Sequence, residues 1–149
     1  MRLEDEIKGR FRNEYHKGLI NLNYTTRILG YRFIQDLKKH DITEQQYNVL
    51  RILRGFRAEA PLSIGFIKER MLDRDSDVSR LVDRLYSSGL VLRYEDNTDR
   101  RKKSVEISEK GLTLLNNLLE TELAVDQLLK NLTESEVEQL NYLLDKVRD

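Results

Sequence analysis

The chain has 149 residues, of which 39% are hydrophobic and 35% charged, with one proline and no cysteine. This length suits a single domain with one core, and the composition suits a helix-rich folded chain rather than a disordered one. Without cysteine there is no disulfide framework, thiolate metal site, thiol redox sensor or cysteine nucleophile, and a reducing cytoplasm is the expected compartment.

The 26 basic and 26 acidic side chains cancel, but unevenly along the chain. Residues 1–103 carry 22 Lys/Arg against 16 Asp/Glu, and residues 104–149 carry 4 against 10. A basic front is offset by an acidic tail, so neutrality does not exclude nucleic acid as a partner, because binding follows the local field.

The first ten residues, MRLEDEIKGR, are too charged for a signal peptide, and no run of about 18 apolar residues is available to span a bilayer. No membrane partner is expected. Leu3, Ile7 and Phe11 recur at every fourth position, which predicts a short helix over 3–11. Leu19, Leu22, Thr26, Leu29, Phe33 and Leu37, with Ile20, Tyr24, Ile28, Tyr31 and Ile34, predict a long helix over 15–37. Its apolar band is wider than one contact face requires, which points to a second subunit. Thr43 and Gln46 form a capping-box pattern that opens a helix over 43–57, and Ser63 caps another over 63–71.

A helix over 75–88 follows, with Val78, Leu81, Val82 and Leu85 on its buried face and Asp77, Ser79, Arg80, Asp83 and Arg84 facing outward. Asp75 or Ser76 is its expected cap, with Asp77 a further capping candidate and the aspartate better suited to accept from a cytosine amine. Gly89 is the expected left-handed stop. Residues 91–95 and 104–107 alternate as half-buried strands do, and Asp96-Asn97-Thr98-Asp99 supplies turn chemistry between them. Ser108 caps a leucine-rich helix expected to run to about Lys130, and Thr133 with Glu136 opens a last one.

The order helix, helix, helix, hairpin over 43–107 resembles a winged helix-turn-helix. Val78-Ser79-Arg80-Leu81-Val82-Asp83-Arg84-Leu85, Gly89-Leu90-Val91, Asp99-Arg100-Arg101, and Val105-Glu106-Ile107-Ser108 with Gly111 resemble the MarR family of bacterial transcriptional regulators. The resemblance implies a mostly α fold with a small β-hairpin wing. It implies one MarR-like domain over 1–149, with residues 1–40 and 108–149 forming dimerisation helices and 41–107 a DNA-binding lobe. It also implies a homodimer on a pseudo-palindromic operator, repression, and a small aromatic or anionic effector. Carried over by position, Ser76, Asp77, Ser79, Arg80 and Arg84 lie on the recognition helix, and Asp99 and Arg101 form the wing pair around Arg100.

Arginine chemistry agrees with these roles. A planar, permanently charged guanidinium at Arg80 or Arg84 suits a guanine edge or a phosphate, and one at Arg101 suits a narrow minor groove. Arg93, Lys102 and Lys103 suit phosphates, which position a protein without reading sequence. Tyr24, Arg27, Tyr31, Tyr47 and Phe66 are the candidate effector contacts, with core packing as the plainer account of each. His16 and His40 are far apart in sequence and read as surface or helix-end residues, so no metal site is expected. No Gly-rich phosphate loop or nucleophile-and-base spacing suggests an enzyme, and no cofactor is expected. The competing account is a winged-helix protein-interaction module without DNA binding, motivated by zero net charge and by Asp73, Asp75 and Asp77 beside the recognition helix.

Overall fold

The computed structural model of the chain describes residues 2–95 and 103–149. Its elements run α1 (Leu3–Ile7), α2 (Glu14–Lys39), α3 (Glu44–Gly55), β1 (Leu62–Ser63), α4 (Ile64–Glu69), α5 (Val78–Ser87), β2 (Val91–Glu95), β3 (Lys103–Ile107), α6 (Glu109–Asn117), α7 (Leu119–Asp126) and α8 (Glu134–Arg148). This is a mostly helical winged helix-turn-helix architecture with one small antiparallel sheet in the order β1-β3-β2. No described helix is long and apolar enough to cross a membrane.

Capping chemistry sets most helix starts. The Thr43 hydroxyl accepts from the Gln46 N–H at 3.2 Å while the Gln46 side chain accepts from the Thr43 N–H at 2.8 Å. Thr133 and Glu136 make the same reciprocal pair ahead of α8. The Thr133 N–H holds the Glu136 carboxyl below its usual range. Ser63 and Ser108 cap α4 and α6 as expected.

Two helices are shorter than periodicity predicts. The first stops at Ile7, with Lys8 at φ 48 and Gly9 after it, instead of running to Phe11. Reversal there lets α1 fold back on α2: Leu3 is buried, Glu4 pairs with Lys17 at 2.5 Å, and the Tyr24 hydroxyl donates to Glu6 at 2.7 Å. The helix after Ser108 breaks at Leu118, whose N–H is shared between the Leu114 and Leu115 carbonyls, rather than continuing to Lys130. Asn116 and Asn117 just before the break are weak helix formers, and Leu115 and Leu118 on either side of them are buried in the core. Strand β1 is an addition that its two residues could not signal; it pairs Leu62 with Val105.

The core gathers Leu37, Ile42, Val49, Leu50, Leu53, Ile67, Val82, Leu85, Val91, Val105, Leu115 and Leu118 around α3. Outside it, α2 exposes Tyr15, Leu19, Ile28 and Tyr31, and α8 exposes Tyr142, Leu143 and Val147. One close approach at the base of the β2–β3 ribbon admits only glycine. A Cβ on Gly111 would lie 2.3 Å from the Leu90 carbonyl oxygen and 2.7 Å from the Ile107 side chain. Relief would have to move backbone, so Gly111→Ala is expected to destabilise the chain by about 1–3 kcal/mol in denaturant unfolding.

Candidate nucleic-acid interface

Helix α5 buries Val78, Val82 and Leu85, and this fixes its orientation. With 3.6 residues per turn, Ser79, Arg80, Asp83 and Arg84 must then face outward, and all four are exposed. Arg80, Asp83, Arg84, Ser87 and Ser88 line one shallow surface. The helix ends at Ser88, and Gly89 takes φ 75. The Ser108 hydroxyl donates to the Gly89 carbonyl at 2.7 Å and accepts from the Gly111 N–H, tying the end of α5 to the end of β3.

The cap of α5 falls on the last of its three candidates, not on Asp75 or Ser76. Asp77 is the N-cap, its Oδ1 accepting from the Arg80 N–H at 3.1 Å, so its carboxylate serves the helix terminus. Asp75 lies outside the helix, and its N–H donates to Asp73 at 3.1 Å. Ser76 also precedes the helix and is half-buried, with its shielded Oγ unpartnered among the described residues. It therefore does not share the exposed face of Ser79, Arg80 and Arg84. The physical reason is local: Val78 is drawn into the core and begins the helix there, so the preceding side chain is the one aimed at the free N–H groups.

In the ribbon, Val91 pairs with Ile107, Arg93 with Val105 and Glu95 with Lys103. These residues share one side, buried at Val91, Val105 and Ile107, while Leu92 and Tyr94 on the other side are exposed. Arg93 does not point freely to solvent. It forms an ion pair with Asp83 of α5, and its guanidinium carbon lies 4.5 Å from the centroid of the Tyr86 ring. Lys103 approaches the same carboxylate at 4.0 Å. Asp99, Arg100, Arg101 and Lys102 lie outside the described residues.

The five candidate effector contacts do not converge within one chain. Tyr24 donates to Glu6, Arg27 is exposed, and Tyr31 is 65% exposed. Phe66 packs edge-on against Phe56, with Arg70 3.5 Å above its ring. Tyr47 lines a cleft of about 310 Å³ with Phe33, Asn48, Arg51 and Leu72. Its ring meets Phe33 edge-on, and its hydroxyl donates to Glu122 of α7 at 2.6 Å. Burial and the Glu122 carboxylate push the Tyr47 phenol above its usual range. Arg54 grips the same carboxylate through both oxygens at 3.1 Å.

The Glu122 linkage and the Asp83 linkage are groupings near the candidate site that sequence reading missed. Each acid sits on a helix with no local spacing that reveals a partner on another element. A second cleft, of about 260 Å³, lies between α2 and α7 beside Arg32, Phe33 and Asp36.

Comparison with known proteins bears on the whole of this arrangement. A sequence model described as the MarR family matches residues 42–103. The HTH-type transcriptional regulator MhqR of Bacillus subtilis is 31% identical over 124 residues, covering 79% of this chain and 83% of its own. The homoprotocatechuate degradative operon repressor of Escherichia coli is 31% identical over 113 residues, covering 74% and 73%. A solved structure of a MarR mutant from Escherichia coli complexed with operator DNA aligns with a TM-score of 0.74 at 27% identity, over 93% of this chain and 99% of that one.

The cap assignment is directly testable. Asp77→Ala removes the acceptor for the Arg80 N–H and is expected to cost about 0.5–2 kcal/mol in urea unfolding. Asp75→Ala, outside the helix, is expected to cost less.

Proposed function

The chain belongs to the MarR family, and from that premise we propose that it is a homodimeric, cytoplasmic repressor that binds a short pseudo-palindromic operator and releases it in response to a small molecule. The observation that carries this reading is the outward face of α5: Ser79, Arg80 and Arg84 stand exposed because Val78, Val82 and Leu85 are buried behind them. A helix presented in this way fits a major groove, where arginine reads guanine edges bidentately. Asp99, Arg100, Arg101 and Lys102 enter the reading on their sequence motif, with Arg101 assigned to the adjacent minor groove.

Dimerisation accounts for the apolar side chains left uncovered on α2 and α8, which a second copy would bury. Residues 1–40 and 108–149 are assigned this role, and 41–107 the DNA-binding role. Two clefts share Phe33 of α2, one lined further by α3 and Leu72 and the other by α7, and the arginines Arg51 and Arg32 suit them to a small aromatic or anionic effector. Binding there would alter the spacing of the two DNA-binding lobes and so the fit to successive grooves.

Two of the acids that motivated an interaction-module reading have local roles: Asp77 caps α5, and Asp73 accepts from the Asp75 N–H. Neither needs a protein ligand to account for it.

Selection of duplexes from a random pool, followed by titration at several salt concentrations, tests the function. The affinity is expected to fall steeply as salt rises. Arg80→Ala and Arg84→Ala are each expected to cost about 1–3 kcal/mol and to relax discrimination at the bases they meet. Arg101→Ala is expected to weaken binding as well. A dimer that binds no duplex, or binds with no salt dependence, refutes the reading.

A further inference from the structure

We propose that Asp83 is a positioning residue for DNA recognition: by clasping Arg93 and Lys103 it fixes the angle between α5 and the β2–β3 ribbon and keeps both cations from indiscriminate phosphate contact. The inference rests on the DNA-binding function proposed above.

An acid midway along the exposed face of α5 is unfavourable where phosphates are to be met. Its surroundings explain it. The Asp83 carboxylate receives Arg93 from β2, and Lys103 of β3 lies 4.0 Å away. Strand register makes this convergence possible. Arg93 sits opposite Val105 and Lys103 opposite Glu95, so the two cations are diagonal neighbours on the side of the ribbon that also carries Val91, Val105 and Ile107. Along that side Val91 and Ile107 at the base enter the core, Arg93 sits level with buried Val105, and Lys103 lies one pair further out.

The ribbon is therefore held at two separated points. At its base, the Val91–Ile107 pair is buried, and Ser108 bonds to the Gly89 carbonyl. Further out, Asp83 holds Arg93 and Lys103. A ribbon anchored only at its base can swing; one anchored at two points has a set angle.

The Arg93 side chain is 22% exposed, against 52% for Asp83, so the arginine is the more enclosed partner. The face of Tyr86, from the same helix as Asp83, lies beneath the guanidinium. Stacking and pairing together restrict its orientation more than an ordinary surface ion pair would.

A set angle matters because helix and wing must engage neighbouring grooves at once. When one prong is seated, the effective concentration of the other depends on how narrowly its position is restricted. A loosened wing with two released cations would find phosphates on any duplex and gain little on the selected one.

The test titrates wild type, Asp83→Asn, Arg93→Gln and the double variant on two duplexes, one selected by wild type from a random pool and one unselected. Asparagine keeps the shape of the side chain and removes its charge. Across about 50–200 mM salt, Asp83→Asn is expected to bind the unselected duplex more tightly, with a log–log salt slope steeper by about one to two per protomer. Its preference for the selected duplex should fall about tenfold.

Arg93→Gln should lower the preference without tightening the unselected complex, and the double variant should lose little more than either single one. The inference is overturned if Asp83→Asn tightens both duplexes equally, which would make Asp83 a simple repulsive charge, or if it changes neither. It is also overturned if the two losses of preference add. Failure of wild type to bind any duplex with salt dependence is a separate result, which refutes the DNA-binding function itself.

Discussion

Burial of one face of α5 is the constraint from which the rest follows. Val78, Val82 and Leu85 lie in the core formed around α3, and each fully buried aliphatic side chain contributes on the order of 1.5–3 kcal/mol by leaving water. Rotation of α5 about its axis would expose them, so the helix has one allowed orientation. Arg80 and Arg84 face outward as a geometric consequence of that burial. The same requirement selects where the helix begins: Val78 is its first residue, and Asp77 is thereby the cap.

The junction after α5 converts this rigidity into a second fixed element. Gly89 turns the chain through a left-handed conformation, Ser108 bridges the two ends of the ribbon's base, and Gly111 lets α6 approach the Leu90 carbonyl at a distance no other residue permits. Strand β3 lies between β1 and β2, with Ser104 and Val105 paired on both sides. The wing thus grows from a frame that shares its core with the recognition helix.

Electrostatics in this chain are local. The total charge is zero, yet individual acids are committed to particular tasks. Asp77 serves a helix terminus, Asp83 holds wing cations, and Glu122 joins α7 to α3 through Tyr47 and Arg54. Glu122 lies beside the break at Leu118, where the leucine-rich helix changes course. Its bonds to α3 make it a stiff connection between the α3–α5 lobe and the terminal helices. A carboxylate enclosed to this extent requires such partners, because desolvation without them would be costly.

Much of the fold was legible in the amino-acid order, for a physical reason. Caps at Thr43, Ser63, Ser108 and Thr133, the stop at Gly89 and the apolar stripe of α5 all depend on groups within about four residues of one another, and such interactions are written into local spacing. Alternation over 91–95 and 104–107 made the two long strands legible in the same way. The fold-back of α1 on α2 after Lys8 and the strand at Leu62–Ser63 depend on contacts between segments distant in sequence. Local propensity is too weak to settle such boundaries alone. The pairing of Asp83 with Arg93 and of Glu122 with Tyr47 and Arg54 belongs wholly to the tertiary structure. Periodicity indicates that an acid lies on a polar face, but only the packing of one element against another determines which cation it meets.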